Sequence, residues 1–139
     1  MTDPLGHLAE FIDKNRLILG LVQNTKKGRL GILTVNDKQV ALPQSRALLL
    51  TPAAISSERS RDAQVAYMRQ IEERREELSR QVKVPELWEL IHEEKEPVAL
   101  KDLAELQFGK PVEDDHIGAT LRALFNDRLH FKLAGNEFV

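Results

Sequence analysis

The sequence predicts an α+β protein, and three observations along the chain support this. Residues 8–50 contain five short runs of strand-forming residues separated by turn signals. Residues 53–83 lack Gly and Pro and are rich in charge, as in a long helix. Residues 84–139 contain three short helical patterns followed by a hairpin pattern. The sequence therefore predicts three segments, which are residues 1–52, 53–83 and 84–139.

The first segment is predicted to be a small curled sheet. Its five strands are expected at Leu8–Ile12, Arg16–Gln23, Arg29–Val35, Gln39–Leu42 and Arg46–Leu50. The second strand is apolar on both faces over residues 17–22, which in so small a sheet indicates burial in a closed barrel. Thr51 and Pro52 are expected to end the strand pattern. The segment is therefore predicted to be an SH3-like or OB-like β-barrel.

The second segment is predicted to be a connector helix over residues 53–83. Pro52 lies near its start, and Ser56 and Ser57 are possible caps. One narrow apolar stripe follows helical spacing and is made of Tyr67, Ile71, Leu78 and Val82. The remaining positions are mostly charged, so we expect a solvated helix that rests one edge on a neighbour. A coiled-coil dimer is the weaker alternative.

The third segment is predicted to be a winged helix, a helix-turn-helix variant. Its helices are expected at 85–94, 99–107 and 112–126, with Pro85 in the first turn. Their apolar faces should form one core, made of Leu87, Trp88, Ile91, Leu100, Leu103, Ala104, Phe108, Ile117, Leu121, Leu124 and Phe125. A hairpin at 128–133 and 137–139 would be the wing.

Charge is distributed unevenly between the segments. The whole chain has a net charge of −2. Residues 1–52 carry seven Lys or Arg against four Asp or Glu, whereas residues 84–139 carry six against twelve. The third predicted helix of the last segment opens with Glu113-Asp114-Asp115, and Arg122 is the only basic residue expected on its exposed face. These acids match the helix dipole but repel phosphate, so sequence-specific DNA binding is not expected.

The better candidates for contact with nucleic acid are basic residues of the barrel and the wing. The barrel set is Arg16, Lys26, Lys27, Arg29, Lys38 and Arg46, and the wing set is Arg128, His130 and Lys132. Loops of small barrels commonly bind single strands. Phe11 is the only aromatic residue near the barrel set, so RNA binding would be non-specific and sensitive to salt. The alternative is that these are ordinary polar loops.

No catalytic constellation is found in the sequence, and this chain is not predicted to be an enzyme. There is no cysteine, no nucleophile elbow and no phosphate-binding glycine loop. The run Glu113–His116 is expected to be a helix start and not a metal site, and no cofactor is predicted. There is no signal peptide, and no apolar run approaches the roughly 20 residues that span a bilayer. A cytoplasmic protein without membrane contact is expected.

Several stretches of the chain resemble one enzyme family. Residues 11–22, 29–34 and 40–46 resemble the N-terminal barrel of bacterial ribonuclease II (RNB-family) exoribonucleases. Residues 86–90, 103–106 and 121–132 are similar to the winged helix that some of these enzymes carry before the catalytic domain. Ala99 departs from the pattern, because a Ser or Thr cap is expected there.

The resemblance implies a parent enzyme that degrades RNA from the 3′ end with Mg²⁺ held by aspartates. Those aspartates would belong to a catalytic domain after Val139, and they have no counterpart in this chain. The expected function is therefore an accessory region that guides RNA and docks on that domain. The alternatives are a non-enzymatic winged-helix adaptor that binds protein, and a transcription regulator.

Overall fold

The computed structural model describes residues 4–56, 58–93, 98–127, 133–134 and 137–138. It is an α+β structure with a five-stranded antiparallel sheet and four α-helices among these residues. The chain forms two compact units, Met1–Glu72 and Glu73–Val139. Each unit is described separately below. No helix among the described residues is long and apolar enough to cross a membrane.

The first unit contains an antiparallel sheet that closely follows the predicted strands. Its strands are β1 (His7–Asp13), β2 (Arg16–Lys26), β3 (Arg29–Thr34), β4 (Gln39–Pro43) and β5 (Leu49–Pro52). The first four strands are joined by successive hairpins, and β5 returns to pair with β1. The order across the sheet is therefore β4-β3-β2-β1-β5.

Both faces of this sheet are buried, as the doubly apolar second strand predicted. One face of the sheet carries a core that includes Phe11, Val22 and Ile32. The other face packs Leu19 and neighbouring leucines against the helix that follows the sheet. β2 contributes to both cores because successive side chains point to opposite faces.

The fifth strand differs from the sequence prediction. A 3-10 turn occupies Gln44–Arg46, and β5 begins only at Leu49. The strand pattern ends at Pro52, two residues later than the predicted Leu50, because Thr51 pairs with Leu8 and Pro52 with His7. β5 has a strand neighbour on one side only, and an edge strand tolerates proline.

Helix α1 spans Arg61–Ser79, which is shorter than the predicted 53–83. Ser60 caps it, since its Oγ accepts a hydrogen bond from Ala63 N at 3.1 Å. Ser56 instead accepts from Glu58 N in the preceding loop. Before the helix, Ala54 N donates to the Tyr67 hydroxyl at 2.9 Å. Residues 53–56 and 58–60 are therefore loop residues and do not extend the helix.

The buried face of α1 in the first unit is wider than the predicted stripe. Tyr67 and Ile71 are only half-buried, whereas Gln64, Val65 and Met68 are buried. Val65 and Met68 contact the leucine-rich face of the sheet. The prediction missed this face because the buried Gln64 hides the spacing of the apolar residues.

The second unit contains the end of α1 and three shorter helices. These are α2 (Val84–Ile91), α3 (Leu100–Phe108) and α4 (Asp114–Asn126), each within a few residues of its predicted range. Their shared core is narrower than predicted and contains Leu87, Leu103, Ala104, Ala119, Leu121 and Leu124. Ala99 is the N-cap of α3 and makes no side-chain capping bond. Two short strands, β6 (Leu133–Ala134) and β7 (Glu137–Phe138), pair antiparallel.

Candidate nucleic-acid interface

The β2–β3 hairpin presents three cations on a two-residue turn. Lys26 pairs with Arg29 across the hairpin. Lys27 and Gly28 form the turn with φ of 51° and 78°. Two consecutive positive φ angles define the type I′ turn, whose twist matches that of the strands it joins. Lys26, Lys27 and Arg29 are exposed, and in the part of the chain that the structure describes none of them has a carboxylate partner.

The same hairpin is tied to the end of β4. Gln44 N donates to Gly28 O at 2.9 Å, and the guanidinium of Arg29 lies 3.5 Å from Ala41 O. The turn therefore has backbone support from outside its own strands. The three cations therefore have a defined spacing at their Cα atoms.

Arg16 and Arg46 lie at the opposite end of the sheet. Arg16 begins β2 after the two-residue turn Lys14-Asn15, whose φ angles are 50° and 63°. Arg46 Nη2 donates to Ile12 O at 2.7 Å, which brings it beside this β1–β2 hairpin. Sequence reasoning missed Lys14, which is exposed in the same turn. The sequence did contain a signal for it. Asn15 is typical of a turn, and a turn exposes the side chain of the neighbouring Lys14.

Lys38 lies in the β3–β4 turn, and its surroundings are partly acidic. It is exposed. Its backbone N–H donates a hydrogen bond to the Thr34 hydroxyl, and its carbonyl accepts one from Thr34 N. The preceding residue, Asp37, has a φ of 63° and accepts hydrogen bonds from the Arg61 guanidinium through both its side chain and its carbonyl. Lys38 therefore adds little to a continuous basic surface.

The sheet does not bring the predicted barrel set into one patch. Consecutive hairpins of an antiparallel meander lie at alternate ends. Arg16 and Lys26 are the two ends of β2, and at about 3.3 Å per residue they are roughly 30 Å apart along the strand. The set thus divides into the hairpin at Lys26–Arg29 and the group at the β1–β2 hairpin. Arg128, His130 and Lys132 lie outside the described residues.

Among the described residues of the first unit, no exposed aromatic side chain lies on the β2–β3 hairpin. Phe11 is 2% exposed and belongs to the buried core on one face of the sheet. Tyr67 uses its hydroxyl to fix the loop before α1. Base stacking on aromatic rings supplies much of the affinity of single-strand binders. Contact at this hairpin would therefore depend on charge.

Helix α4 differs from the prediction in a way that affects DNA recognition. Arg122 was expected to be its one exposed cation, and this was wrong, because the Arg122 side chain is 3% exposed. Its Nη1 donates to Gly118 O at 3.1 Å, and its Nε lies 3.4 Å from Glu76 of α1. α4 contains no other Lys or Arg. The helix therefore displays no cation to a phosphate.

The acidic start of α4 forms ion pairs within its own unit. Asp115 accepts from Nε of Arg75 at 2.9 Å and lies 2.8 Å from Nε of Arg74. Arg74 also approaches Glu113 at 3.6 Å. The prediction of a wholly solvated charged face on the connector helix was wrong at Arg75, which is 1% exposed. These acids therefore hold the end of α1 as well as matching the helix dipole.

His116 completes the start of α4 by accepting a hydrogen bond from the backbone. Its Nδ1 lies 3.1 Å from Glu113 N, and its ring stacks on Phe108 with centroids 4.6 Å apart. Within the described ranges, no group of three His, Asp or Glu side chains that could hold a metal is present.

Comparisons with family models, curated proteins and solved structures find no match to this chain.

Proposed function

We propose that this chain is an RNA-binding accessory region of a ribonuclease II-type 3′-5′ exoribonuclease, with the β2–β3 hairpin as the RNA contact. The observation that carries the proposal is the exposed trio Lys26, Lys27 and Arg29 on a supported type I′ turn. Phosphate neutralisation by such cations provides affinity without reading sequence. The contact would be weak, non-specific and sensitive to salt.

The finer fold assignment belongs to this proposal. An antiparallel meander of four strands, after which β5 returns to pair with β1, supports an SH3-like barrel over the OB-like Greek key. Three helices followed by the antiparallel pair β6–β7 support a winged helix in the second unit. A barrel followed by a helix and a winged helix is the arrangement that the resemblance to the exoribonucleases implies.

In the parent enzyme, catalysis would take place outside these residues. The aspartates that hold Mg²⁺ would belong to a separate catalytic domain, and no residue of this chain is assigned to them. The chain would guide single-stranded RNA and dock on that domain. This part of the proposal predicts that the gene continues in frame beyond Val139 into a catalytic domain, and a stop codon directly after Val139 would overturn it.

A protein-binding adaptor is the second candidate, and one observation favours it. Leu90 is 66% exposed and Leu106 is 51% exposed in an otherwise acidic unit. Exposed large apolar side chains are typical of protein interfaces. A transcription regulator is not favoured, because the only Lys or Arg of α4 is the buried Arg122.

Charge reversal at the hairpin tests RNA binding. Fluorescence anisotropy with a labelled ten-nucleotide RNA compares the native chain with Lys26→Glu/Lys27→Glu at about 50 mM salt. We expect the affinity to fall about ten-fold or more. The matched control is Lys83→Glu/Lys101→Glu, which changes net charge equally at two exposed lysines of the second unit.

The salt dependence provides an independent measure. Three phosphate contacts on a single strand predict a slope of log K against log salt of roughly −2, and the double reversal should remove most of it. Equal losses in the hairpin variant and the control would show that net charge alone matters. Unchanged binding in the hairpin variant would show that RNA does not contact this turn.

A further inference from the structure

The 3-10 turn Gln44–Arg46 is bonded to two different hairpins of the first unit. Gln44 N donates to Gly28 O in the β2–β3 turn at 2.9 Å, and Arg46 Nη2 donates to Ile12 O beside the β1–β2 hairpin at 2.7 Å. These two bonds come from residues only two positions apart, which is at most about 7 Å of chain. The turn therefore connects the two hairpins by a shorter path than β2, the strand that joins them in sequence.

Each of the two hairpins has a basic group beside it. The first basic group is on the β2–β3 hairpin and consists of Lys26, Lys27 and Arg29. The second basic group is at the β1–β2 hairpin and the adjoining 3-10 turn and consists of Lys14, Arg16 and Arg46. All of these side chains are exposed, and within the described part of the chain none of them forms an ion pair with a carboxylate.

The second basic group is positioned by the backbone, as the first one is. Lys14 and Asn15 form a two-residue turn with φ angles of 50° and 63°, as in a type I′ turn. Arg46 uses one N–H donor on Ile12 O, which orients the guanidinium while its other donors can bind a phosphate. Asp13 is the acid nearest to this group in sequence, and it is half-buried and makes no ion pair with the group.

We propose that one strand of RNA crosses the 3-10 turn, with its phosphates bound by the first basic group at one end and by the second basic group at the other. The proposal rests on the function proposed above and extends its single contact to a site with two ends. Cations bind phosphates without reading the bases, so the site accepts any sequence. Gln44 and Ser45 are exposed on the turn between the groups, where they can donate hydrogen bonds to the strand.

The separation of the two groups determines the length of RNA that can bind both. The path from Gly28 across the turn to Ile12 is on the order of 20 Å, which includes the extended side chain of Arg46. A stacked strand advances about 3.4 Å per nucleotide, so about six nucleotides cover this path, and an extended strand needs fewer. An RNA of ten nucleotides can therefore reach both groups, whereas an RNA of three nucleotides reaches only one.

The first experiment reverses the charge of the second basic group. Fluorescence anisotropy with a labelled ten-nucleotide uridine RNA compares the native chain with Lys14→Glu/Arg16→Glu at about 50 mM salt. We expect the affinity to fall about ten-fold or more, because one end of the strand loses its phosphate contacts. Lys83→Glu/Lys101→Glu changes the net charge equally and should bind RNA as the native chain does. Circular dichroism verifies folding, and Lys14→Gln/Arg16→Gln replaces the reversal variant if the added acids unfold it.

The salt dependence counts the phosphate contacts. The first basic group alone predicts a slope of log K against log salt of roughly −2 on a single strand, and the second adds a similar amount. The native chain should therefore give a slope of roughly −4 with the ten-nucleotide RNA. Lys14→Glu/Arg16→Glu should return the slope to roughly −2, as should Lys26→Glu/Lys27→Glu at the other end.

The outcomes distinguish this proposal from the function on which it rests. A native slope of roughly −2, together with full affinity in Lys14→Glu/Arg16→Glu, would overturn the two-ended site and leave the RNA contact at the β2–β3 hairpin in place. Equal affinity for RNAs of three and ten nucleotides would overturn it as well, because the short strand cannot reach both groups. A loss of the same size in Lys83→Glu/Lys101→Glu would show that net charge is the cause. A native chain that binds neither RNA would overturn both proposals.

Discussion

The carboxylate of Asp115 accepts a hydrogen bond from Nε of Arg75 over 2.9 Å, and only 2% of the arginine side chain is exposed. The first residues of α4 are thereby joined to the end of α1 within the second unit. A buried guanidinium is stabilised by such a partner, because removing one member of a buried ion pair takes away part of the compensation for the other's desolvation. The relationship leads to two predictions about stability.

Replacing Asp115 with Ala should lower the free energy of unfolding by about 2–3 kcal/mol. The reason is that Arg75 keeps its charge in a buried position but loses the acceptor on α4. Urea denaturation followed by circular dichroism measures the change. Asp114→Ala is the matched control, since Asp114 is exposed in the same helical turn and has the same relation to the helix dipole. Equal losses in the two variants would contradict the role given to the pair.

Gly118→Ala should destabilise the second unit, although alanine favours helices by about 1 kcal/mol. A Cβ atom at this position would lie 2.7 Å from Nε of Arg75 and would also meet Cδ. Overpacking of this kind costs about 1–3 kcal/mol. Thermal unfolding should therefore show a lower Tm.

The matching test of this crowding is a double-mutant cycle with Arg75→Ala. Once the arginine side chain is removed, Gly118→Ala should become neutral or stabilising. A Gly118→Ala substitution that costs the same in both backgrounds would show that the contact with Arg75 is not the cause.

The ring of His116 should carry its proton on Nε2. Its Nδ1 accepts from Glu113 N at 3.1 Å, and a neutral imidazole accepts at one nitrogen only. A long-range ¹H–¹⁵N spectrum reports the tautomer directly. His116→Gln should retain stability, because Gln at this position can accept from the same N–H, whereas His116→Ala should lose about 1 kcal/mol. A spectrum with the proton on Nδ1 would refute the assignment.

Lys27→Asn should stabilise the first unit and weaken RNA binding together. Asn adopts the positive φ of 51° at this position more readily than Lys, and Asn-Gly is the preferred type I′ pair. The gain should be a few tenths of a kcal/mol, measured by urea denaturation. The lost cation should make the salt slope shallower by about 0.7. Lys38→Asn is the control for binding, and a loss there of equal size would argue against the hairpin.

The strands could be predicted because the local pattern determines them. Two-residue turns such as Lys27-Gly28 mark where one strand ends and the next begins. The alternation of apolar and polar residues along a strand determines which side chains are buried. The fifth strand was expected to begin at Arg46, but Arg46 belongs to the 3-10 turn Gln44–Arg46 and the strand begins at Leu49. Its position depends on pairing with β1, a contact between residues far apart in sequence.

The buried arginines could not be predicted from periodicity. Arg75 and Arg122 were counted as polar positions, so the helix faces that contain them were predicted to be solvated. Their burial depends on Asp115 and Glu76, which lie on different helices from their partners. The register shift between Val22 and Asn24 in the β2–β3 pairing was missed for a similar reason, because it has no signature in a single sequence.

The order of strands in the first unit also has a consequence for folding kinetics. β1 to β4 form by successive hairpins, so most of the sheet consists of contacts between neighbours in sequence, which form rapidly. The exception is the pairing of His7 with Pro52, which closes a loop of more than forty residues. Docking of β5 on β1 is therefore the step at which the chain loses most entropy, and we expect it to limit the folding rate of this unit.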